Sequence, residues 1–306
     1  MAKAVKIDAV TYELNGLVIS GLACGNNTAV PVLCLHGWLD NAASFMPLMN
    51  ALPEALLATK RFIAIDWPGH GQSSHRSDDA HYHFFDYIYD LLALFEHNGW
   101  CTSGTSEVKG QLGIDIVAHS MGAMIASGFT TAFPEKVKSL TLIDSLGFIF
   151  SDAKESTTQL RKGMLSRLKT AQSIAKNTPR YFSKETAIKA RLAVSDLSAE
   201  NADLLVTRSL VKVDNSYCWR SDPRLRTISP YRIMRAQAEQ LISDLHCSVQ
   251  LIYGDKGMTM VQQGIDNFAH LLPDLSMTKV EGGHHVHMEQ PALLAESLAN
   301  FWLAKS

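Results

Sequence analysis

The stretch Ala118-His119-Ser120-Met121-Gly122-Ala123 constrains this chain more than any other. It follows four residues that read as a buried strand, Ile114-Asp115-Ile116-Val117, and it opens an apolar helical pattern in Ala123, Met124, Ala126, Ser127 and Phe129. A backbone that passes from strand to helix this abruptly strains its central residue and leaves that side chain exposed. Bulky neighbours would block the turn. Alanine at 118, glycine at 122 and alanine at 123 stand where the chain folds back on itself, so their small size has a steric reason.

The rest of the chain supplies the strand and helix alternation that such a turn needs. Val5 to Leu14 and Leu17 to Cys24 read as an antiparallel pair joined at Asn15-Gly16, a dipeptide favoured in tight hairpins. Val30 to Leu35 is almost wholly apolar, as a strand buried on both faces should be, and it ends in His36-Gly37-Trp38. A helix is expected over Ser44 to Leu52, and a strand over Arg61 to Ile65 runs into Asp66-Trp67-Pro68-Gly69-His70-Gly71, which is turn chemistry. Phe84 to His97 is helical, with Phe84, Ile88, Leu91, Leu92 and Phe95 on one face. After the serine turn, Leu140 to Ile143 makes a strand that ends at Asp144. The pattern resumes late, with strands at Val249 to Tyr253 and Ser276 to Val280 and helices at Val261 to Leu271 and Pro291 to Leu303. Such alternation implies a parallel sheet covered by helices on both faces, with its binding site outside the carboxyl ends of the strands. His36, Asp66, Ser120, Asp144, Asp255 and His284 all lie just past strand ends.

Between Asp144 and Val249 the alternation stops. Residues 1–145 and 240–306 are expected to form one core domain, and residues 146–239 a helical cap inserted into it. Within the insertion Leu160, Met164, Leu168, Ala171 and Ile174 recur at helical spacing before Pro179, and further helices are expected at Lys184 to Val194 and Ala199 to Val211. Tyr217 to Leu225 reads as an extended link, and Ser229-Pro230 as the opening of the returning helix. Residues 151–240 hold 17 Lys and Arg against 9 Asp and Glu, so a chain of formal charge −2 carries a basic insert. That balance reads as a solvated helical surface before it reads as an anion-attracting lid, and the net charge argues against nucleic-acid or membrane partners. Cys24, Cys34, Cys101, Cys218 and Cys247 are odd in number and scattered, as buried thiols are. Lacking an apolar leader at its start or a stretch of membrane-spanning length, the chain is expected in the cytoplasm.

A serine hydroxyl becomes a useful nucleophile when a neighbouring base takes its proton, and histidine has the pKa for that work. His284 follows Gly282-Gly283 at the end of a strand, where flexible glycines let it reach over the strand ends. A zinc site built from His284, His285 and His287 is the rival reading, but it lacks a separated carboxylate or cysteine ligand. His285 and His287 read as packing or pocket-rim residues.

Taken together, His36 to Phe45, Asp66 to Gly71, Ala118 to Gly122, Trp219 to Leu225 and Gly282 to Pro291 resemble the α/β-hydrolases, and more narrowly the serine hydrolase-like (kraken-type) proteins. The resemblance implies a mostly parallel eight-stranded sheet, and it makes Ser120 the tip of a nucleophile elbow with His284 as its base. It assigns the oxyanion-hole donors to the backbone N–H groups of Trp38 and Met121. The third triad member should be an acid between Ser120 and His284 in the chain. The usual place after the seventh strand is occupied by Gly257, and Asp255 lies two positions too early. Some relatives take the acid from the end of the sixth strand, which is Asp144 here; Asp255 is the alternative. Candidate substrate contacts are His36, Trp38, His119, Trp219 and Arg220, with Arg220 and Asp222 also expected to anchor the cap as an ion pair.

The reaction implied is cleavage of a small or medium carboxylic ester through an acyl-enzyme, with a small acyl compound as the partner and neither metal nor organic cofactor required. Thioester or carbon–carbon bond cleavage uses the same serine and stays open. A catalytically weak ligand-binding protein is the reading from another class, and glycine at 257 is the feature that motivates it.

Overall fold

The computed structural model describes residues 5–14, 16–100, 113–175 and 181–304. The expected hairpin residue Asn15, the thiol of Cys101 and the helix-ending Pro179 lie outside the described residues. In chain order the strands are β1 (Asp8–Leu14), β2 (Leu17–Gly25), β3 (Val30–Leu35), β4 (Lys60–Ile65), β5 (Ile114–His119) and β6 (Val137–Ile143). Then come β7 (Phe150–Ser151), β8 (Leu210–Val213), β9 (Ser216–Trp219), β10 (Ile233–Met234), β11 (Ser248–Gly254) and β12 (Ser276–Val280). The helices are α1 (Met46–Ala51), α2 (Glu54–Thr59), α3 (Phe84–His97), α4 (Met121–Ala132), α5 (Ser156–Ile174) and α6 (Lys184–Leu192). They continue as α7 (Ala199–Ser209), α8 (Arg235–Ser243), α9 (Thr259–Phe268), α10 (Val286–Glu289) and α11 (Pro291–Ala304).

Eight strands form one sheet in the order β1-β2-β4-β3-β5-β6-β11-β12. β1–β2 and β2–β4 pair antiparallel, and every later pair is parallel. This is the mostly parallel α/β-hydrolase sheet expected from the sequence. Successive strand residues point to opposite faces, so one apolar run feeds two cores. Leu33, Leu35, Ile116, Ala118, Leu140, Leu142 and Leu251 pack with Leu91, Leu94 and Phe95 of α3, Ile125 and Phe129 of α4, and Ile242 of α8. Val32, Cys34, Val117, Ile143 and Ile252 pack on the other side with Leu48 and Met49 of α1 and Leu294, Leu298 and Phe301 of α11. Each such large apolar side chain stabilises the fold by roughly 1.5–3 kcal/mol. Among the described residues, no helix is long and apolar enough to cross a membrane.

Register decides where the strands stop. Leu35 lies beside Ala118, Ala118 beside Leu142, and Leu142 beside Leu251. The carboxyl ends of β3, β5, β6 and β11 are therefore level, and the residues that follow them meet at one mouth.

The segment between β6 and α8 departs from expectation in three places. Leu210 is not the tail of a helix, because α7 ends at Ser209 and Leu210–Val213 pairs antiparallel with Ser216–Trp219. Asp214 turns that hairpin with φ 53°, so Tyr217–Trp219 is a paired strand rather than an extended link. Ser229-Pro230 does not open a helix; α8 begins at Arg235. Pro230 instead lies against Gly163 of α5, where a Cβ would come within 2.4 Å of the proline Cα. That close approach turns the small and polar face of α5 inward. Leu160, Met164 and Leu168, which share the apolar stripe, are 51%, 44% and 57% exposed.

The basic character of this segment is partly spent inside the molecule. Arg191 pairs with Asp40 at 2.6 Å, Arg208 with Asp66 at 2.8 Å and Arg224 with Asp222 at 2.7 Å, and all three carboxylates are buried. Cys24, Cys34 and Cys218 are buried thiols, and Cys247 is half-buried.

Candidate active site

Ser120 follows β5 and precedes α4 with φ 51° and ψ −118°. This conformation costs a non-glycine residue of order 1–3 kcal/mol and persists only where the surroundings enforce it. The enforcement is visible in two glycines. A Cβ on Gly122 would lie 2.4 Å from the carbonyl oxygen of Leu35, and one on Gly37 would lie 2.9 Å from Nδ1 of His119. The end of β3 and the first turn of α4 thus touch backbone to backbone. The Ser120 N–H donates to the Ile143 carbonyl at 3.1 Å, which ties the turn to β6.

His284 comes from the loop between β12 and α10. Its Nε2 is 3.0 Å from Oγ of Ser120, and its Nδ1 is 2.6 Å from Oδ2 of Asp144. Asp144 is fully buried, with φ 47°. Its Oδ1 accepts the Gly254 N–H at 3.1 Å, and its own N–H donates to the Ile252 carbonyl at 2.9 Å. A carboxylate held in this way fixes Nδ1 as the protonated ring nitrogen and leaves Nε2 to accept the serine proton. Asp255, the alternative acid, turns away: its Oδ1 accepts the Gly282 N–H at 2.9 Å. Gly257 explains the arrangement, since a Cβ there would lie 2.4 Å from Oδ1 of Asp144.

A cavity of about 450 Å³ opens over Ser120 and is walled by Trp38, His119 and His284. Met121 is the first residue of α4, and the first N–H groups of any helix lack intrahelical acceptors. The Trp38 ring is half-exposed, and its Nε1–H donates to the Leu225 carbonyl at 3.0 Å. His119 donates from Nε2 to the His284 carbonyl at 2.9 Å, supporting the loop that carries His284.

The other candidate contacts fall elsewhere. His36 is fully buried, accepts the Trp67 N–H on Nε2 at 3.0 Å, and is pushed down to about 4 by burial. It braces the loop after β4. Trp219 lies in an adjoining cavity of about 210 Å³, where its Nε1–H donates to the Tyr181 hydroxyl at 2.9 Å. Arg220 lines neither cavity; its Nε–H donates to the Leu210 carbonyl at 3.3 Å. Asp222 does not pair with Arg220, because Arg224, two residues on, turns back to it and Tyr82 donates to its Oδ2 at 2.8 Å.

His285, read from the sequence as a packing or pocket-rim residue, lines the cavity, together with three residues whose part the sequence did not single out. Asp40, Arg191, Asp196 and His285 form a network beside His284. His285 Nδ1 is 2.9 Å from Asp196 and its Nε2 is 3.3 Å from Asp40. Burial opposes charge on this ring, but the Asp40 and Asp196 carboxylates outweigh it and raise His285 to about 9. Asp196 also accepts the backbone N–H of His284 at 2.8 Å. Asp196 sits in the insertion, 88 residues before His284, and no spacing rule links them. His287 lies between Phe45 and His119, and burial pushes it down to about 3. The three histidines of the supposed zinc site therefore face different partners, and no group of three ligating side chains converges among the described residues.

The alpha/beta hydrolase fold family matches residues 30–291. A serine hydrolase-like protein of Danio rerio is 31% identical over 92% of this chain and 84% of its own length. A hypothetical protein of Pseudomonas aeruginosa PAO1, solved by crystallography, has 32% identity and a TM-score of 0.83 over 97% of this chain and 98% of that one. The thioesterase domain from the curacin biosynthetic pathway, at 23% identity, shares the fold with a TM-score of 0.79 over 96% of this chain and 99% of that one. With its level strand ends, its strained serine and these likenesses, the chain belongs to the α/β-hydrolase fold family and within it resembles the serine hydrolase-like proteins.

Proposed function

We propose that this hydrolase-family chain cleaves small or medium carboxylic esters, or related acyl compounds, through an acyl-enzyme on Ser120. The observation that carries the reading is the continuous hydrogen-bonded relay from Ser120 through His284 to Asp144. Ser120 Oγ attacks the acyl carbonyl as His284 Nε2 takes its proton, and Asp144 orients the imidazole and stabilises its charged form. The Trp38 and Met121 N–H groups receive the oxyanion. Collapse breaks the bond to the leaving alcohol, which takes the proton from His284. Water then attacks the acyl-enzyme with His284 again as base, releasing the acid and restoring Ser120. Residues 146–239 act as a cap that restricts access and excludes water from the relay.

The binding-only alternative loses its motive, because glycine at 257 makes room for the Asp144 carboxylate. Thioesters belong among the substrates tested, given the curacin thioesterase among the structural neighbours. The deciding experiment is intact mass after exposure to a small fluorophosphonate, for wild type and Ser120→Ala. One adduct on wild type that is missing from the variant supports an activated Ser120. A well-folded wild type that takes no adduct and turns over no ester or thioester counts against the proposal.

A further inference from the structure

Of the arginines that the insertion sends towards the sheet, Arg191, Arg208 and Arg224 each meet a buried carboxylate. Arg226 does not. It lines the cavity over Ser120 and the adjoining cavity of Trp219, so it stands at their common wall. Among the described residues no carboxylate lies within ion-pair distance of it. Lys256, from the turn after β11, lines the same cavity; its carboxylate neighbour is Glu281 at 3.6 Å, and both side chains are well exposed. The cavity's two acids, Asp40 and Asp196, are already engaged by Arg191 and His285. The lining thus holds more cationic than anionic side chains, with Arg226 free of a carboxylate partner among the described residues; such a cleft concentrates anions, and a guanidinium suits a carboxylate because it can hold both oxygens at once.

The turn that carries Arg226, whose own side chain is exposed, is held in place. Asp222 Oδ1 accepts the Arg224 N–H at 2.8 Å, Thr227 Oγ1 donates to the Arg224 carbonyl at 2.7 Å, and Leu225 accepts from the Trp38 ring. The turn Pro223–Arg226 is thus pinned to the residue whose backbone N–H is assigned to the oxyanion hole. Building on the acyl chemistry proposed above, we propose that the substrate is an anionic ester or thioester whose carboxylate is received by Arg226, with Lys256 adding to the attraction.

The test compares 4-nitrophenyl monoesters of glutaric and adipic acid with the same compounds capped as methyl esters, correcting for spontaneous hydrolysis. A second pair, 4-acetoxybenzoate and its methyl ester, places the charge on the leaving group. Wild type is expected to favour the anionic member of at least one pair by tenfold or more in kcat/KM, and less so in 0.5 M salt. Arg226→Gln should shrink that preference at least tenfold, chiefly through KM, and Arg226→Lys should restore part of it. Equal or better turnover of the neutral member in both pairs overturns the inference and leaves the hydrolase reading standing. So does an Arg226→Gln variant that slows both members by the same factor. If no compound is hydrolysed and fluorophosphonate leaves Ser120 unmodified, the hydrolase reading falls and the anion site with it.

Discussion

The carboxylate of Asp144 occupies the space that any side chain at position 257 would need: a Cβ on Gly257 would lie 2.4 Å from Oδ1 and 2.8 Å from Oδ2. Asp144 at the end of β6 and a side chain at position 257 therefore compete for the same space in this chain. Asp144→Asn should lower kcat by about ten-thousand-fold while leaving the fold intact, because the amide favours the wrong tautomer of His284. Gly257→Ala should be costly too, by roughly tenfold to a hundredfold, since the carboxylate or its loop must move. Steady-state ester hydrolysis alongside circular dichroism checks both. Unchanged turnover in Asp144→Asn would remove Asp144 from the relay.

Asp196 reaches from the insertion to the loop that carries His284, accepting its N–H and bonding to His285 as well. It touches no reacting atom, so it acts as a positioning residue. Asp196→Ala should lower kcat by roughly tenfold with little change in KM, because a small displacement of the base weakens proton transfer more than binding. The second-order rate of fluorophosphonate labelling of Ser120 should fall in parallel. A change confined to KM would mean that Asp196 shapes the cavity and not the base.

Legibility of the sequence followed the range of the forces at work. β3, β5 and the serine turn could be read because each is decided by neighbours in the chain: a continuous apolar run or a cluster of small residues. The approach of His284 to Ser120 was foreshadowed by Gly282-Gly283. The insertion read poorly, because Gly163 against Pro230 reverses the face of α5 through a contact far away in sequence. The β8–β9 hairpin was missed because Leu210 and Val211 continued a helical pattern past Ser209. Asp40, Asp196 and Arg191 were invisible for the same reason: a buried ion network depends on where three distant segments meet.

Arg208 offers a separate check on how the insertion is joined to the core. Its Nε lies 3.0 Å from both oxygens of Asp66, a fully buried carboxylate that also accepts the N–H groups of Ala42 and Gln72 at 2.7 Å. Arg208→Met removes the counterion and leaves the charge buried, a change that costs about 3–5 kcal/mol. Urea denaturation should show a loss of that order, with Arg208→Lys milder. A loss below about 1 kcal/mol would mean that the backbone donors alone suffice for Asp66.

The histidines predict a stability maximum near neutral pH, bounded by different residues on its two sides. On the alkaline side, His285 is raised from 6.5 to about 9, so the folded state holds its proton more tightly than the unfolded chain. That contribution is complete below pH 6.5 and is lost as pH rises towards 9. On the acid side, burial lowers His36 to about 4 and His70 and His287 to about 3. The unfolded chain protonates these rings from pH 6.5 downward while the fold resists, so stability falls as the medium becomes more acidic. Each ring contributes a loss of roughly 2 kcal/mol by pH 5. Melting temperature measured from pH 4.5 to 9.5 should therefore trace a dome. His285→Gln should lower the curve near neutrality and flatten its alkaline limb while leaving the acid limb in place. An alkaline limb unchanged in that variant would show that His285 is neutral in the fold.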